Sequence, residues 1–308
     1  MSEEIRFIPD EDLQVIGVPV TALSQVVDWG HSHCNIDSAW KMSKGSGVKV
    51  AVLDSGIASH PDLEGSYVQA YNCSDCDSPE DKQCGHGTHV AGIIGARDNQ
   101  LGVVGVAPEC ELIPIKVLGD NGSGSYSSII AGINKAMELN ADIINMSLGS
   151  SSAPPEALHD VIKQAAARGI IIIAAAGNDA GSVNFPARYE EVIAVAAINK
   201  DGSFAKFTSH DGTVDAVAPG VDIYSTFLKQ SYAIMSGTSQ ASPFMAGVAA
   251  LVLSYTRTNP NTPQIHNYID MMKALDLVSD DSTYISPNVA KEWGFGVPKF
   301  ANVDWTNL

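Results

Sequence analysis

The sequence is short of positive charge: 18 Lys and Arg face 35 Asp and Glu, a formal net charge of −17 over 308 residues. Nucleic acid and anionic lipid carry the same sign, so neither is expected as a partner. Long hydrophobic runs are missing too. No stretch of about 18 apolar residues without charge occurs, so no membrane-spanning helix is expected. Cysteine is sparse and odd in number, five in all, which leaves at least one thiol unpaired within the chain. That fits a reducing compartment better than a secreted, disulfide-braced protein. The opening residues MSEEIRFIPDEDLQ are acidic and lack the basic start and apolar segment of a secretory leader. A cytoplasmic location is the expectation. Internal repeats and low-complexity tracts are absent as well.

What is present is apolar sequence in short pieces. The apolar share, 45%, is enough for a sizeable core. Val48–Leu53, Leu112–Leu118, Ile143–Met146, Ile170–Ala176 and Val192–Ile198 are near-continuous apolar runs without alternation, which predicts strands covered on both faces. Between them Ile129, Ile130, Ile133 and Met137 recur at helical spacing. So do Leu158, Val161, Ile162 and Ala165, with Gly169 placed to end that helix. Alternation of this kind predicts an α/β fold of three layers, a mostly parallel central sheet with helices on both faces. Residues 1–24 precede the first strand–helix unit and read as an N-terminal extension to one domain over residues 25–308.

Three segments carry polar residues able to do chemistry. Val50-Ala51-Val52-Leu53-Asp54-Ser55-Gly56 puts an acid at the carboxyl end of a buried strand, where open α/β sheets build their sites, although Asp before Gly is also a common turn. Gly85-His86-Gly87-Thr88-His89-Val90-Ala91-Gly92 packs glycines around an imidazole, ahead of a buried helix expected over Val90–Ala96. Its two histidines equally suit a metal pair or a satisfied core position. Of the two, His86 reads as the reactive one and His89 as structural. Ser236-Gly237-Thr238-Ser239-Gln240-Ala241-Ser242-Pro243 precedes the apolar run Met245–Leu253, so Ser239 either sits in the positive field of a helix start or simply caps it. Each segment alone is weak. Jointly they supply a hydroxyl, a base to take its proton and a carboxylate to orient the base, in the order Asp54, His86, Ser239. That order is one of three known among unrelated triads.

With these motifs the chain resembles the subtilisin-like serine peptidases from about Gln25 to about Val303, closest in organisation to the intracellular subtilisins. The resemblance implies a serine endopeptidase that cleaves polypeptide substrates through an acyl-enzyme, with Asp54, His86 and Ser239 as its triad. Ala174-Ala175-Ala176-Gly177-Asn178 matches the segment whose Asn amide, with the Ser239 backbone N–H, forms the oxyanion hole. Gly122-Ser123-Gly124 and Ser147-Leu148-Gly149 resemble the two extended segments that receive the peptide as an added strand. Asn184 aligns with the floor of the first specificity pocket, where many relatives have Gly. A larger polar floor implies a shallower pocket.

The resemblance also implies calcium. Arg97, Asn99, Leu101 and Val103 match the family's tight calcium loop, with Gln25 and Asp62 as the remaining ligands, and oxygen donors of these kinds suit a hard cation. Glu4-Ile5-Arg6-Phe7-Ile8-Pro9 looks like the short propeptide of the intracellular subtilisins. By analogy it lies across the cleft as an inhibitor, with Pro9 distorting the scissile region, until proteolysis removes it. A monomer or a homodimer is expected on the same ground.

Two positions near the serine depart from the family. Gln240 stands where most relatives have Met, so an oxidisable thioether is replaced by an amide. Phe244 stands where His is common and is expected to pack. The segment NCSDCDSPEDKQCG, residues 72–85, departs further. Its Cys73, Cys76 and Cys84 lie near His86 and leave three readings: free thiols, a Cys73–Cys76 disulfide, or a zinc site that would take His86 out of use as a base.

Overall fold

The apolar runs form the sheet they predict. A computed structural model describes residues 4–6, 14–16, 24–280 and 294–307. Its central sheet contains β3 (Lys49–Asp54), β4 (Tyr71–Asn72), β5 (Glu111–Lys116), β7 (Ile143–Met146), β8 (Ile171–Ala175), β9 (Val192–Ile198) and β10 (Ala216–Pro219). They are ordered β10-β9-β8-β7-β3-β5-β4 and every neighbouring pair is parallel. Two of these, β4 and β10, were not expected, being too short to stand out as apolar runs.

Helices α3 (His86–Gly95) and α6 (Thr238–Thr258) pack against each other and against the sheet, while α4 (Tyr126–Glu138) and α5 (Glu156–Ala167) form a second packed pair on it. The expected three layers result. Short helices α1 (Trp29–Cys34) and α2 (Ile36–Trp40) precede the sheet, and α7 (Tyr268–Leu277) packs on α6 near the strand pair β13 (Ser279–Asp280) and β14 (Val297–Pro298). Among the described residues no helix is long and apolar enough to cross a membrane.

Strand order places the site. From β3 the chain first adds β5 and β4 on one side, then crosses back to add β7, β8, β9 and β10 on the other. Loops at the carboxyl ends of β3 and β7 therefore part in opposite directions, which opens the crevice where open α/β sheets bind ligands. Asp54 ends β3, and Ser147 follows β7 directly.

Three smaller pairings matter for function. β11 (Ile223–Phe227) and β12 (Ser231–Met235) form an antiparallel hairpin that leads into α6. The N-terminal segment supplies β1 (Glu4–Arg6), which pairs antiparallel with β6 (Ser123–Ser125), and β2 (Gln14–Ile16), which pairs antiparallel with the other edge of β12. Pro9 lies outside the described residues.

One helix begins earlier than its sequence suggests. α3 starts at His86 itself, not at Val90, and all of its residues are buried. A helix buried all round has no polar face to show in the sequence, and its glycines disguise it further.

Candidate active site

Asp54 and His86 are joined directly. Asp54 Oδ1 accepts from His86 Nδ1 at 2.8 Å, and both side chains are buried. Ser55 N–H donates to the same carboxylate oxygen at 2.7 Å. Gly87 makes this approach possible: a Cβ there would lie 2.2 Å from the Gly56 carbonyl and 3.1 Å from Asp54 Cβ. The imidazole is thus fixed by the end of a strand and the start of a helix that only glycine lets meet.

Further polar groups back the pair, and none was singled out from sequence. Ser55 Oγ accepts from Gly87 N–H at 2.9 Å and donates to the buried Asp81 at 3.1 Å. Asp81 also accepts from Thr88 Oγ1 and from Cys84 N–H, while burial pushes its carboxyl above the usual range. Lys116 is 0% exposed, and its ammonium donates to the Ser55 carbonyl at 2.5 Å and to Asp120 Oδ1 at 3.0 Å. A lone Lys closing the run Glu111–Lys116 and a lone Asn within Ile143–Met146 were the available signals: charged and amide groups in buried strands need partners.

Ser239 sits in the first turn of α6, held by Pro243. Proline has no N–H to return to the carbonyl four residues earlier, so the Ser239 carbonyl loses its helical donor. The Ser147 hydroxyl donates to it instead at 2.8 Å. Asn145 Nδ2 donates to Ser147 Oγ, and Ser242 Oγ donates to Asn145 Oδ1, closing a buried network between β7 and α6. The Ser239 hydroxyl itself donates to the Ser147 carbonyl at 3.2 Å. The start of α6 and the segment after β7 are tied together twice.

Asn178 has its orientation set by Thr238. Its Oδ1 accepts from Thr238 N–H and Oγ1, each at 2.9 Å, which turns its Nδ2 the other way. A Cβ placed on Gly237 would stand 3.0 Å from Asn178 Nδ2 and 3.5 Å from Ser239 N. Two N–H donors and the Gln240 Oε1, 2.9 Å from that Cβ position, therefore border one small space that the glycine leaves open. His89 differs in kind from His86. It is buried, its Nε2 contacts the Ile223 and Ala233 carbonyls at 3.1 Å, and burial lowers its pKa to about 3. A neutral imidazole bonding β11 and β12 is the structural role expected of it.

Residues 45–296 match the subtilase family of peptidases. The chain belongs to the subtilase family. It is 44% identical to M-protease of Shouchella clausii over 256 residues, covering 81% of this chain and 65% of that protein. It is 44% identical to subtilisin Savinase of Lederbergia lenta over 252 residues, 80% and 91% of the two chains. It is 46% identical to an intracellular serine protease of Paenibacillus polymyxa over 226 residues, 70% and 69% of the two. Against M-protease and two alkaline proteases the chain spans 65% of the relative's length.

Within this subtilase the remaining expected residues fall as follows. Ser123 and Gly124 form β6 with Gly122 just before it, and Ser147, Leu148 and Gly149 follow β7. Asn184 is buried between Gly149 and Gly177: Cβ atoms there would meet its Cβ at 3.2 Å and its Nδ2 at 2.6 Å. Its Nδ2 donates to Asp179 Oδ2 at 3.0 Å, leaving Oδ1 buried without a partner among the described residues. Phe244 packs as expected, edge-on to His31 at 5.9 Å.

Of the six expected cation ligands, Arg97, Asn99 and Val103 contact Asp62, Gln25 contacts Arg97 and Leu101 contacts Asn99. Gln25 Nε2 lies 3.1 Å from the Arg97 carbonyl, and Asn99 Nδ2 lies 3.5 Å from Asp62 Oδ1. Val103 N–H and Tyr232 OH donate to Asp62 Oδ2 at 2.8 and 3.0 Å. Bridges Ser24–Leu101 and Val26–Val103 lay residues 24–26 along the loop, whose tight turn has positive φ at Gln100 and Gly102. Asp62 is buried, and among the described residues its Oδ1 meets nothing closer than that Asn99 amide. A buried carboxylate with the Arg97 carbonyl and the Gln25 and Asn99 amide groups near it is a donor set of the kind calcium takes.

The cysteines do not assemble. All five are free thiols, and among the described residues no group of three His, Cys, Asp or Glu side chains could hold a metal. Burial, with Asp81 and Asp54 beside it, pushes the Cys84 thiol up to about 12. Of the three readings of this loop, the geometry of the described residues favours free thiols.

Proposed function

We propose that this subtilase is a serine endopeptidase of polypeptide chains, working through an acyl-enzyme on Asp54, His86 and Ser239. The observation that carries it is the Asp54–His86 bond of 2.8 Å beside a helix whose first turn presents Ser239. In the proposed cycle His86 Nε2 takes the Ser239 proton as Oγ attacks the scissile carbonyl carbon. Asp54, fixed by Ser55 N–H, holds the Nδ1–H tautomer and stabilises the imidazolium. The carbonyl oxygen turns anionic in the space bordered by Asn178 Nδ2 and Ser239 N–H. Collapse expels the amine, which takes the proton from His86, and water then repeats the sequence to free the acid.

Substrate lies between Gly122-Ser123-Gly124 and Ser147-Leu148-Gly149 as an added strand, with Asn184 at the first pocket. β1 already occupies the β6 edge, with Ile5 0% exposed, which supports an N-terminal segment acting as the chain's own inhibitor. Gln25, Asp62, Arg97, Asn99, Leu101 and Val103 would hold calcium, which braces the fold and takes no part in the chemistry. The acidic sequence and reduced thiols support action in the cytoplasm, as a monomer or homodimer.

An organophosphorus serine reagent tests the reading. It should label Ser239 in the native chain and fail to label the His86→Ala variant. Labelling that survives His86→Ala, or none in either protein, would overturn it. Deleting residues 1–20 should raise activity; a truncated enzyme no more active than the full chain would remove the inhibitor from the account.

A further inference from the structure

The N-terminal segment touches the molecule at a second edge, which blocking β6 does not require. In β2, Gln14 lies opposite Ile234, Val15 opposite Ala233 and Ile16 opposite Tyr232. This register has a direction. Read from Gln14 to Ile16, the segment moves along β12 from Ile234 to Tyr232, away from Ser239. A polypeptide with its scissile bond at Ser239, continuing in the same sense, would leave the site along this edge.

The two contacts differ in how they are held. Ile5 of β1 is fully buried, whereas Gln14 is exposed and Val15 is 55% exposed. At Gln14 and Val15 the pairing draws little on side-chain burial and rests on main-chain hydrogen bonds, which any sequence except proline supplies. An edge released by β2 is an open row of N–H and C=O groups, the template to which extended peptides add.

We infer that the outer edge of β12, Tyr232–Ile234, is a docking strand for the substrate residues that follow the scissile bond. β2 occupies it until the segment is displaced. The ligand it fits is unfolded polypeptide that extends several residues beyond the cleaved bond. Between Ile234 and Ser239 the chain leaves β12 at Met235 and enters α6 at Thr238, so a substrate reaches this edge only with several residues past that bond. The inference rests on the peptidase reading and adds a requirement for length to it.

Two internally quenched peptides test it, identical up to the scissile bond and carrying three or eight residues after it. The full chain is first incubated with calcium until its activity is constant. The longer peptide should show kcat/KM about tenfold higher, mostly through KM, the worth of one or two net main-chain hydrogen bonds. N-methylation of its fourth to sixth residues after the bond should return it to the level of the short peptide. Equal kcat/KM for both lengths, or indifference to N-methylation, would overturn the inference. Cleavage of neither peptide would instead refute the peptidase reading itself.

Discussion

The reactive residues and the cation loop are built on opposite plans. Asp54, His86 and Ser239 stand at the ends of buried regular elements, and the chain's own donors and acceptors fix their neighbours: Ser55, Ser147, Asn145 and Thr238. Most contacts at that site come from the chain itself, although Asp54 Oδ2 is buried without a hydrogen-bond partner among the described residues. Around Asp62, among the described residues, one buried carboxylate oxygen has only a distant amide for company. On the proposed calcium reading such a cluster is finished by a cation from outside. Chemistry and stability should therefore be separable in this molecule, each open to disruption without the other.

Breaking the first plan has the largest effect. Ser239→Ala should lower kcat by about 10⁴–10⁶; in subtilisin, a member of this family, loss of the triad serine costs about 2 × 10⁶. Its unfolding free energy, from denaturant titration, should change by no more than about 1 kcal/mol, the worth of the single bond to Ser147. A large stability loss would mean the nucleophile also braces the fold. Asn178→Ala should follow with a loss of about 10²–10³ in kcat and little change in KM, the range measured for the corresponding donor in subtilisin. An unchanged kcat would show that the space beside Gly237 is not where the oxyanion forms.

The same contrast explains what the sequence shows. β7 and β9 follow the apolar runs residue for residue, because strands buried on both faces leave an uninterrupted signal. The β11–β12 hairpin left none. Its turn takes positive φ at Lys229 and Gln230 rather than at a glycine, and Ser, Thr and Tyr are mixed through its strands. Motif order pointed to Asp54, His86, Ser239 and Asn178, yet it did not reveal Asp81, Lys116 or Asn145. Lys116 and Asn145 stood out only as polar residues in apolar runs, and their partners Ser55 and Ser242 lie in segments far apart in the chain, which no local pattern encodes. Pairing of β2 with β12 was unreadable for a related reason: a three-residue strand whose first two side chains are exposed carries no side-chain signature.

Breaking the second plan should leave turnover intact. Removing calcium with a chelator should lower the thermal midpoint of the full chain by roughly 5–10 °C. That corresponds to about 2.7 kcal/mol for a site filled at a hundred times its Kd. Below the transition, kcat should stay within about twofold. Asp62→Asn should abolish the chelator's effect on the midpoint. A chelator-sensitive kcat at temperatures where the chain remains folded would contradict the separation.

The smallest effect sharpens the comparison at the strap beside the loop. Asp28 follows Gln25 closely and anchors residues 24–28: its Oδ1 accepts from Gly30 N–H and its Oδ2 from Tyr224 N–H. Burial outweighs those bonds and raises its pKa to about 6. A carboxyl whose folded pKa is raised binds its proton more tightly in the native state, so it supports folding fully below about 4. That support is lost as pH rises through about 6. Asp28→Asn keeps one amide oxygen for the helix cap but gives up the second acceptor, costing about 1 kcal/mol where the parent is protonated. The gap in thermal midpoint between parent and variant should therefore narrow from pH 4 to pH 6.5, while their kcat values stay equal. A gap that widens over this range would reverse the sign of the coupling, and place the charged form of Asp28 among the groups that hold the strap.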